Sequence, residues 1–196
     1  LYISVYYPHK DPHTLVRGIR KLRESGMNAK ARITMKDQDF IHWSSGPRDL
    51  KKLQAPENSD FVTLDHVPHE DIDTELKRHD VLFSTSLAET FGFPLVESMA
   101  AGIPVVATDV PIHREICGDA ALYFAPGDSD DLAEQLMKLD EDPTLRTTLA
   151  QRGRARVGDM YGWSLHLKVL RDCVASLGAP PDNDNPQSGA DAEKLP

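Results

Sequence analysis

Short apolar runs that read as strands alternate along almost the whole chain with runs whose apolar residues recur at helical spacing. Residues 1–6, 29–35, 61–64, 81–83, 103–107 and 121–124 are of the first kind. Residues 14–24, 48–54, 69–78, 94–101, 112–116, 130–139, 143–157 and 163–176 are of the second; Leu15, Ile19 and Leu22 show the spacing well. Strands separated by helices cannot pair as hairpins, because a parallel neighbour needs a crossover connection. The pattern therefore predicts an α/β fold: a single Rossmann-like domain with a mainly parallel sheet, filling residues 1–177. No shift in composition divides that span. Residues 178–196 turn to Pro, Asp, Asn, Gly and Ser, which predicts a disordered C-terminal tail.

Charge and cysteine content narrow the function. The 22 Lys and Arg stand against 31 Asp and Glu, a net charge of −9. A general nucleic-acid binder would present a basic face, so nucleic acid is excluded as a partner. A small anionic ligand is not, since backbone N–H groups and one or two cations can hold a phosphate. Cys117 and Cys173, the 2 cysteines, have no metal-ligand spacing and fit a reducing, cytoplasmic setting. No apolar run reaches the roughly twenty residues that span a bilayer. The chain opens within a strand-like run and without Met, so we expect a piece of a longer protein.

The chemistry concentrates in Ser84-Thr85-Ser86-Leu87-Ala88-Glu89-Thr90-Phe91-Gly92-Phe93-Pro94-Leu95-Val96-Glu97. This stretch leaves the carboxyl end of a strand, crosses a loop with one glycine and enters a helix at Pro94. Open α/β sheets bind ligands at that edge. Gly92 permits close backbone approach, and the first helical N–H groups are expected to face the site. Glu97 is expected in the first helical turn, where the dipole favours a carboxylate that can accept two bonds from a diol. Glu89 precedes the loop. Taken alone, the two acids would also suit the acid and base of a hydrolase. On either side of an amide-rich loop, they suit a ligand with two sugars joined by phosphates.

Glu89 and Glu97 form an E-x7-E pattern, and the surrounding residues extend it. Glu89-Thr90-Phe91-Gly92, then Pro94-Leu95-Val96-Glu97-Ser98-Met99-Ala100-Ala101-Gly102-Ile103-Pro104-Val105-Val106-Ala107, resembles glycosyltransferase group 1, the large family 4 of retaining enzymes. Arg114-Glu115-Ile116 and Ala125-Pro126-Gly127-Asp128 are similar to later landmarks of that family, and the likeness runs from Tyr2 to about Trp163. The resemblance implies the C-terminal, donor-binding half of a GT-B fold, with the N-terminal domain as a partner outside this chain. It implies a transferase moving a hexosyl-type sugar from a nucleoside diphosphate sugar with retained configuration.

By the same resemblance, Glu89 and Lys10 are the catalytic residues. Glu89 would hold the transferred sugar, and Lys10 would neutralise the donor diphosphate and assist the leaving group. Thr90, Phe91, Gly92 and Phe93 would line the sugar and distal phosphate, Glu97 would hold the ribose, and the stretch around Val67 would take the base. The family often carries an arginine five residues before the lysine; this chain has Val5 there. Neither cofactor nor metal is expected. The acceptor is left open among carbohydrates, lipid-linked glycans and small molecules, as is peripheral association of the full-length enzyme with the inner membrane face. Two rivals stay open: a binding module without transfer activity, and another GT-B enzyme such as a nucleotide-sugar epimerase. This piece alone is expected to be inactive.

Blander readings attach to other residues. The pairs His9 with His13 and His66 with His69 lack a third ligand at a sensible spacing, so no metal site is predicted. Phe91, Phe93 and Met99 are read as at least partly core, Trp43 and Trp163 as packing residues, and Asp128 to Glu134 as a helix start.

Overall fold

The computed structural model describes residues 1–177, so the tail expected over 178–196 lies outside the described residues. Leu1–Met160 form one compact unit, and Tyr161 opens a second. Helices are α1 (Pro12–Glu24), α2 (Asp37–Phe40), α3 (Gly46–Leu53), α4 (Ile72–Leu76), α5 (Phe93–Ala101), α6 (Pro111–Cys117), α7 (Ser129–Glu141), α8 (Pro143–Met160) and α9 (Trp163–Leu177). Strands are β1 (Ala31–Ile33), β2 (Val62–Leu64), β3 (Leu82–Ser84), β4 (Val105–Thr108) and β5 (Ala121–Phe124).

All strand pairs are parallel, in two ladders ordered β1-β2 and β3-β4-β5. The first residues join them. Tyr2 N–H donates to the Arg32 carbonyl at 2.8 Å and the Tyr2 carbonyl accepts from Thr34 N–H at 3.0 Å. On the other side, Phe83 N–H donates to the Leu1 carbonyl at 2.8 Å. The spatial order is thus β2-β1, then Leu1–Tyr2, then β3-β4-β5. The strand expected over residues 1–6 is reduced to this bridge. Beyond it, Ser4 N–H takes the Thr34 hydroxyl at 3.0 Å instead of a backbone carbonyl, and the ladder stops.

Burial follows the sequence periodicity. Leu15, Ile19 and Leu22 of α1 are all buried against β1, α3 and α7, each contributing about 2 kcal/mol by removal from water. Gly18 sits where α1 crosses α7, since a Cβ there would lie 2.6 Å from the Leu132 Cδ2 atom. Every residue of β3 and of β4 is buried, as a parallel sheet covered on both faces requires. The expected α/β architecture with a parallel, Rossmann-like sheet is the one observed. The second unit contains α9, none of whose residues is buried; Trp163, expected to pack, is exposed. Among the described residues no helix is long and apolar enough to cross a membrane.

Candidate functional site

The chain leaves Leu1–Tyr2 through α1 to β1 and β2 on one side, then returns through α4 to β3, β4 and β5 on the other. Strand order therefore reverses between the first segment and β3. A crevice opens at such a switch point, outside the carboxyl ends of the strands, because the two connecting loops diverge. An open cleft of about 830 Å³ lies there.

All eight residues singled out in the sequence line this cleft: Lys10, Val67, Glu89, Thr90, Phe91, Gly92, Phe93 and Glu97. They come from three places. Lys10 ends a 3-10 turn, Pro8–Lys10, after the first segment; Val67 follows β2; the others lie between β3 and the second turn of α5.

Lys10 is held from behind by its own carbonyl, which accepts from the Tyr2 hydroxyl at 2.6 Å and the Thr85 hydroxyl at 2.8 Å. Burial raises the Tyr2 pKa, so that hydroxyl stays a donor. Leu87 N–H donates to the His9 carbonyl at 2.8 Å, fastening the loop after β3 to the lysine turn. Asp11, in the left-handed region at φ 43°, caps α1 by accepting from Thr14 N–H at 3.3 Å. With both loops fixed, the Lys10 ammonium donates to Glu89 Oε1 at 2.5 Å, and the two side chains are only 15% and 16% exposed.

Gly92 makes the turn into α5 at φ 88° and ψ 58°, left-handed values that glycine adopts without strain. A Cβ there would lie 3.1 Å from Leu95 Cδ1. Gly102, at φ 74°, closes the helix as expected. Two details differ from the sequence reading. The helix begins at Phe93, so Glu97 is its fifth residue, and no acidic residue lies in its first turn. Its place on the cleft therefore comes from the face it occupies, not from a dipole-favoured end. Further, Pro94 has no N–H and Leu95 N–H is taken by the Gly92 carbonyl at 3.0 Å. These two donors of the first turn are thus not available to a ligand.

Glu97 is half-buried and, among the described residues, shares no hydrogen bond or ion pair with another side chain. Phe93 is exposed rather than core, its ring 4.9 Å from that of Phe91, whereas Met99 is buried as expected. Trp43, read as a packing residue, is exposed and stands edge-on at 5.3 Å to Tyr7, which lines the cleft. Beneath the cleft, buried His113 bridges α6 to the sheet. Its Nδ1 lies 2.9 Å from the Thr108 carbonyl and its Nε2 lies 3.3 Å from the Ser84 hydroxyl. The carbonyl can only accept, so Nδ1 carries the proton and Ser84 donates to Nε2. Burial lowers the His113 pKa, which agrees with a neutral ring.

Sequence reasoning passed over Lys36, Thr34, Tyr7 and Ser84, which also line the cleft. A cation just past the carboxyl end of a strand, as Lys36 is after β1, was the available signal. His66 and His69 line the cleft too, yet among the described residues no group of three or more His, Cys, Asp or Glu side chains is placed to hold a metal ion. Asp128 caps α7 by accepting from Asp130 and Asp131 N–H groups at 2.9 and 3.0 Å, the helix start read from its acidic cluster.

Known proteins resemble this arrangement. The O-antigen chain mannosyltransferase B of Escherichia coli is 31% identical over 163 residues, covering 83% of this chain and 42% of that protein. Anabaena HepE, crystallised in complex with UDP, superposes with a TM-score of 0.76 at 21% identity, over 89% of this chain and 48% of that one. The C-terminal domain of a glycosyl transferase group 1 family protein, LpcC, from Francisella tularensis superposes with a TM-score of 0.64 at 21% identity, over 83% of this chain and 85% of that one. This chain thus spans less than half the length of the mannosyltransferase and of HepE. The model of the family described as "Glycosyl transferases group 1" matches residues 1–156. With that span matched, and a Rossmann-like fold shared with GT-B glycosyltransferases, the chain belongs to the group 1 glycosyltransferase family.

Proposed function

We propose that this chain is the donor-binding domain of a retaining glycosyltransferase, which holds a nucleoside diphosphate sugar while a second domain presents the acceptor. The observation that carries the reading is the convergence of Lys10, Glu89 and Glu97 on one cleft at the switch point of the sheet. Two carboxylates and a lysine around a turn made by Gly92 match the alternation of hydroxyls and phosphates in such a donor. The UDP complex of HepE supports the ligand class.

Glu97 takes the ribose diol, Glu89 the hydroxyls of the transferred sugar, and Lys10 the diphosphate. The turn Thr90–Phe93 lines the sugar and the distal phosphate, and the segment at Val67 receives the base. The bond from the anomeric carbon to the β-phosphate oxygen breaks, and both electrons leave with the phosphate. The acceptor oxygen bonds to the anomeric carbon from the same face and its proton passes to the departing phosphate, so configuration is retained. Lys10 stabilises the charge that grows on the leaving oxygen. That assigns a metal ion no task, and transfer in chelator is the expected behaviour. Catalysis needs both walls of the cleft, so the isolated chain binds donor without transferring sugar. The setting proposed is the cytoplasm, with any membrane contact made through the other domain.

The test is transfer by the full-length protein from a labelled donor, with the product's anomeric configuration read by NMR. A product with the donor's configuration supports the reading. An inverted product overturns the retaining assignment, and free sugar or an epimerised nucleotide sugar overturns transfer.

A further inference from the structure

Resting on the donor-binding reading, one question concerns charge. A diphosphate brings at least two negative charges into a cleft whose deepest cation, Lys10, is already paired with Glu89 at 2.5 Å. The family pattern places an arginine at the position of Val5, which lines the cleft but offers no charge.

The cleft lining supplies a candidate. Tyr2 is paired in parallel with Ile33. The pairing ends with Thr34 N–H on the Tyr2 carbonyl, two residues before Lys36, and Val5 and Lys36 both line the cleft beyond it. The bond from Ser4 N–H to the Thr34 hydroxyl, at 3.0 Å, ties the two segments together just before those residues. Lys36 is exposed, lines the same cleft and, among the described residues, forms no ion pair. Asp39, the nearest acid in sequence that also lines the cleft, uses its Oδ2 atom to accept from the Lys36 backbone N–H at 2.9 Å. That bond fixes the backbone from which the ammonium projects.

We propose that Lys36 is the second phosphate-binding cation of this site, supplying from the loop after β1 the charge that Val5 does not. A flexible ammonium donates to any oxygen within reach and needs no planar match, so it can take the place of a guanidinium at another point of the same cleft. Lys10 and Lys36 then approach the diphosphate from two separate loops that line the cleft.

The test is calorimetric titration of the 196-residue chain with UDP, GDP and ADP, and with the parent nucleosides as phosphate-free probes. Lys36→Ala is expected to weaken the diphosphate that binds best by about tenfold, the scale of one lost charge-assisted hydrogen bond. It should leave the nucleoside's affinity unchanged. Lys36→Arg should keep diphosphate affinity, and Val5→Arg in the Lys36→Ala background should restore it. Lys36 and Val5 are exposed, and a far-ultraviolet spectrum for each variant verifies the fold. Unchanged diphosphate affinity in Lys36→Ala, with wild-type binding intact, overturns the assignment of Lys36 alone. Equal losses for diphosphate and nucleoside overturn it too, because the lysine then shapes the pocket rather than binding phosphate. A wild-type chain that binds no nucleoside diphosphate overturns both this proposal and the donor-binding reading.

Discussion

The Lys10 ammonium lies 2.5 Å from Glu89 Oε1, joining the loop after the first segment to the loop after β3 across the point where strand order reverses. Each side chain is largely buried, and the lysine carbonyl is held by the Tyr2 and Thr85 hydroxyls. Without ligand, the two charges satisfy each other. A donor inserted here would meet a lysine already aimed and a carboxylate already oriented.

That contact predicts separable effects of its two members. Lys10→Met should weaken binding of a nucleoside diphosphate by about tenfold to a hundredfold, as loss of a charge-assisted contact does. Glu89→Gln keeps the shape, frees the lysine and should leave diphosphate affinity equal or higher. In the full-length enzyme it should still lower transfer sharply. Equal losses of diphosphate affinity in both variants, by calorimetry, would contradict the division of roles.

Gly92 and Gly127 provide an internal control for the turn. Both have positive φ, 88° and 74°, but a Cβ at Gly92 would press on Leu95 while one at Gly127 meets nothing within 4 Å. Each change to Ala should cost about 1–2 kcal/mol through backbone strain, read from urea unfolding. Gly92→Ala should also lose ligand affinity, and Gly127→Ala should not. Full affinity in Gly92→Ala would show that the turn does not serve the ligand.

Stability should depend on pH through two histidines, His113 buried and His13 half-buried. Burial lowers His113 and His13 below 6.5, against the smaller upward pulls of the Thr108 carbonyl and Glu89 on the first and of Asp49 on the second. In the window below about pH 7, where unfolded imidazoles take up protons, the unfolded chain then binds more protons than the folded one. Unfolding free energy should therefore rise with pH across this window and be lost as pH falls through it. His113→Gln should flatten part of the slope, measured by urea midpoints at each pH. A wild-type profile that is level or falls with pH would contradict the neutral assignment of His113.

The two thiols should differ in reactivity. Cys117 is buried and its pKa is pushed up to about 12 by burial, whereas Cys173 is exposed on α9. A thiol reagent at about pH 8 should titrate one cysteine rapidly in the native chain and the second only after denaturation. Two fast thiols would mean that the α6 region opens readily.

The sequence was most legible where local chemistry pins the backbone. Gly92 and Gly102 bracket α5, which begins one residue before the expected Pro94, and the spacing of Leu15, Ile19 and Leu22 marks the buried face of α1 as expected. Illegible were features set by distant partners. The first strand shortens to a bridge because a hydroxyl on the neighbouring strand captures Ser4 N–H. The two hydroxyls on the Lys10 carbonyl come from residues 8 and 75 positions away. Lys36 meets the cleft only where distant segments fold together, and α2, four residues long, is too short to show a period. Phe93 was misjudged for a related reason: an apolar ring beside a ligand-sized cleft need not be covered by the chain's own core.

The central claim, that the cleft at the switch point is a donor site, is tested most directly by mapping a ligand onto it. The isotopically labelled chain would be titrated with UDP, GDP and ADP and their sugar conjugates, following backbone amide shifts by NMR. The account predicts saturable shifts for at least one of these, concentrated at Lys10, Lys36 and the stretch from Thr90 to Glu97, and strongly weakened in Glu97→Ala. Shifts centred on another face, such as the groove beside Leu50 and Lys51, or no saturable shift for any of the ligands, would contradict it.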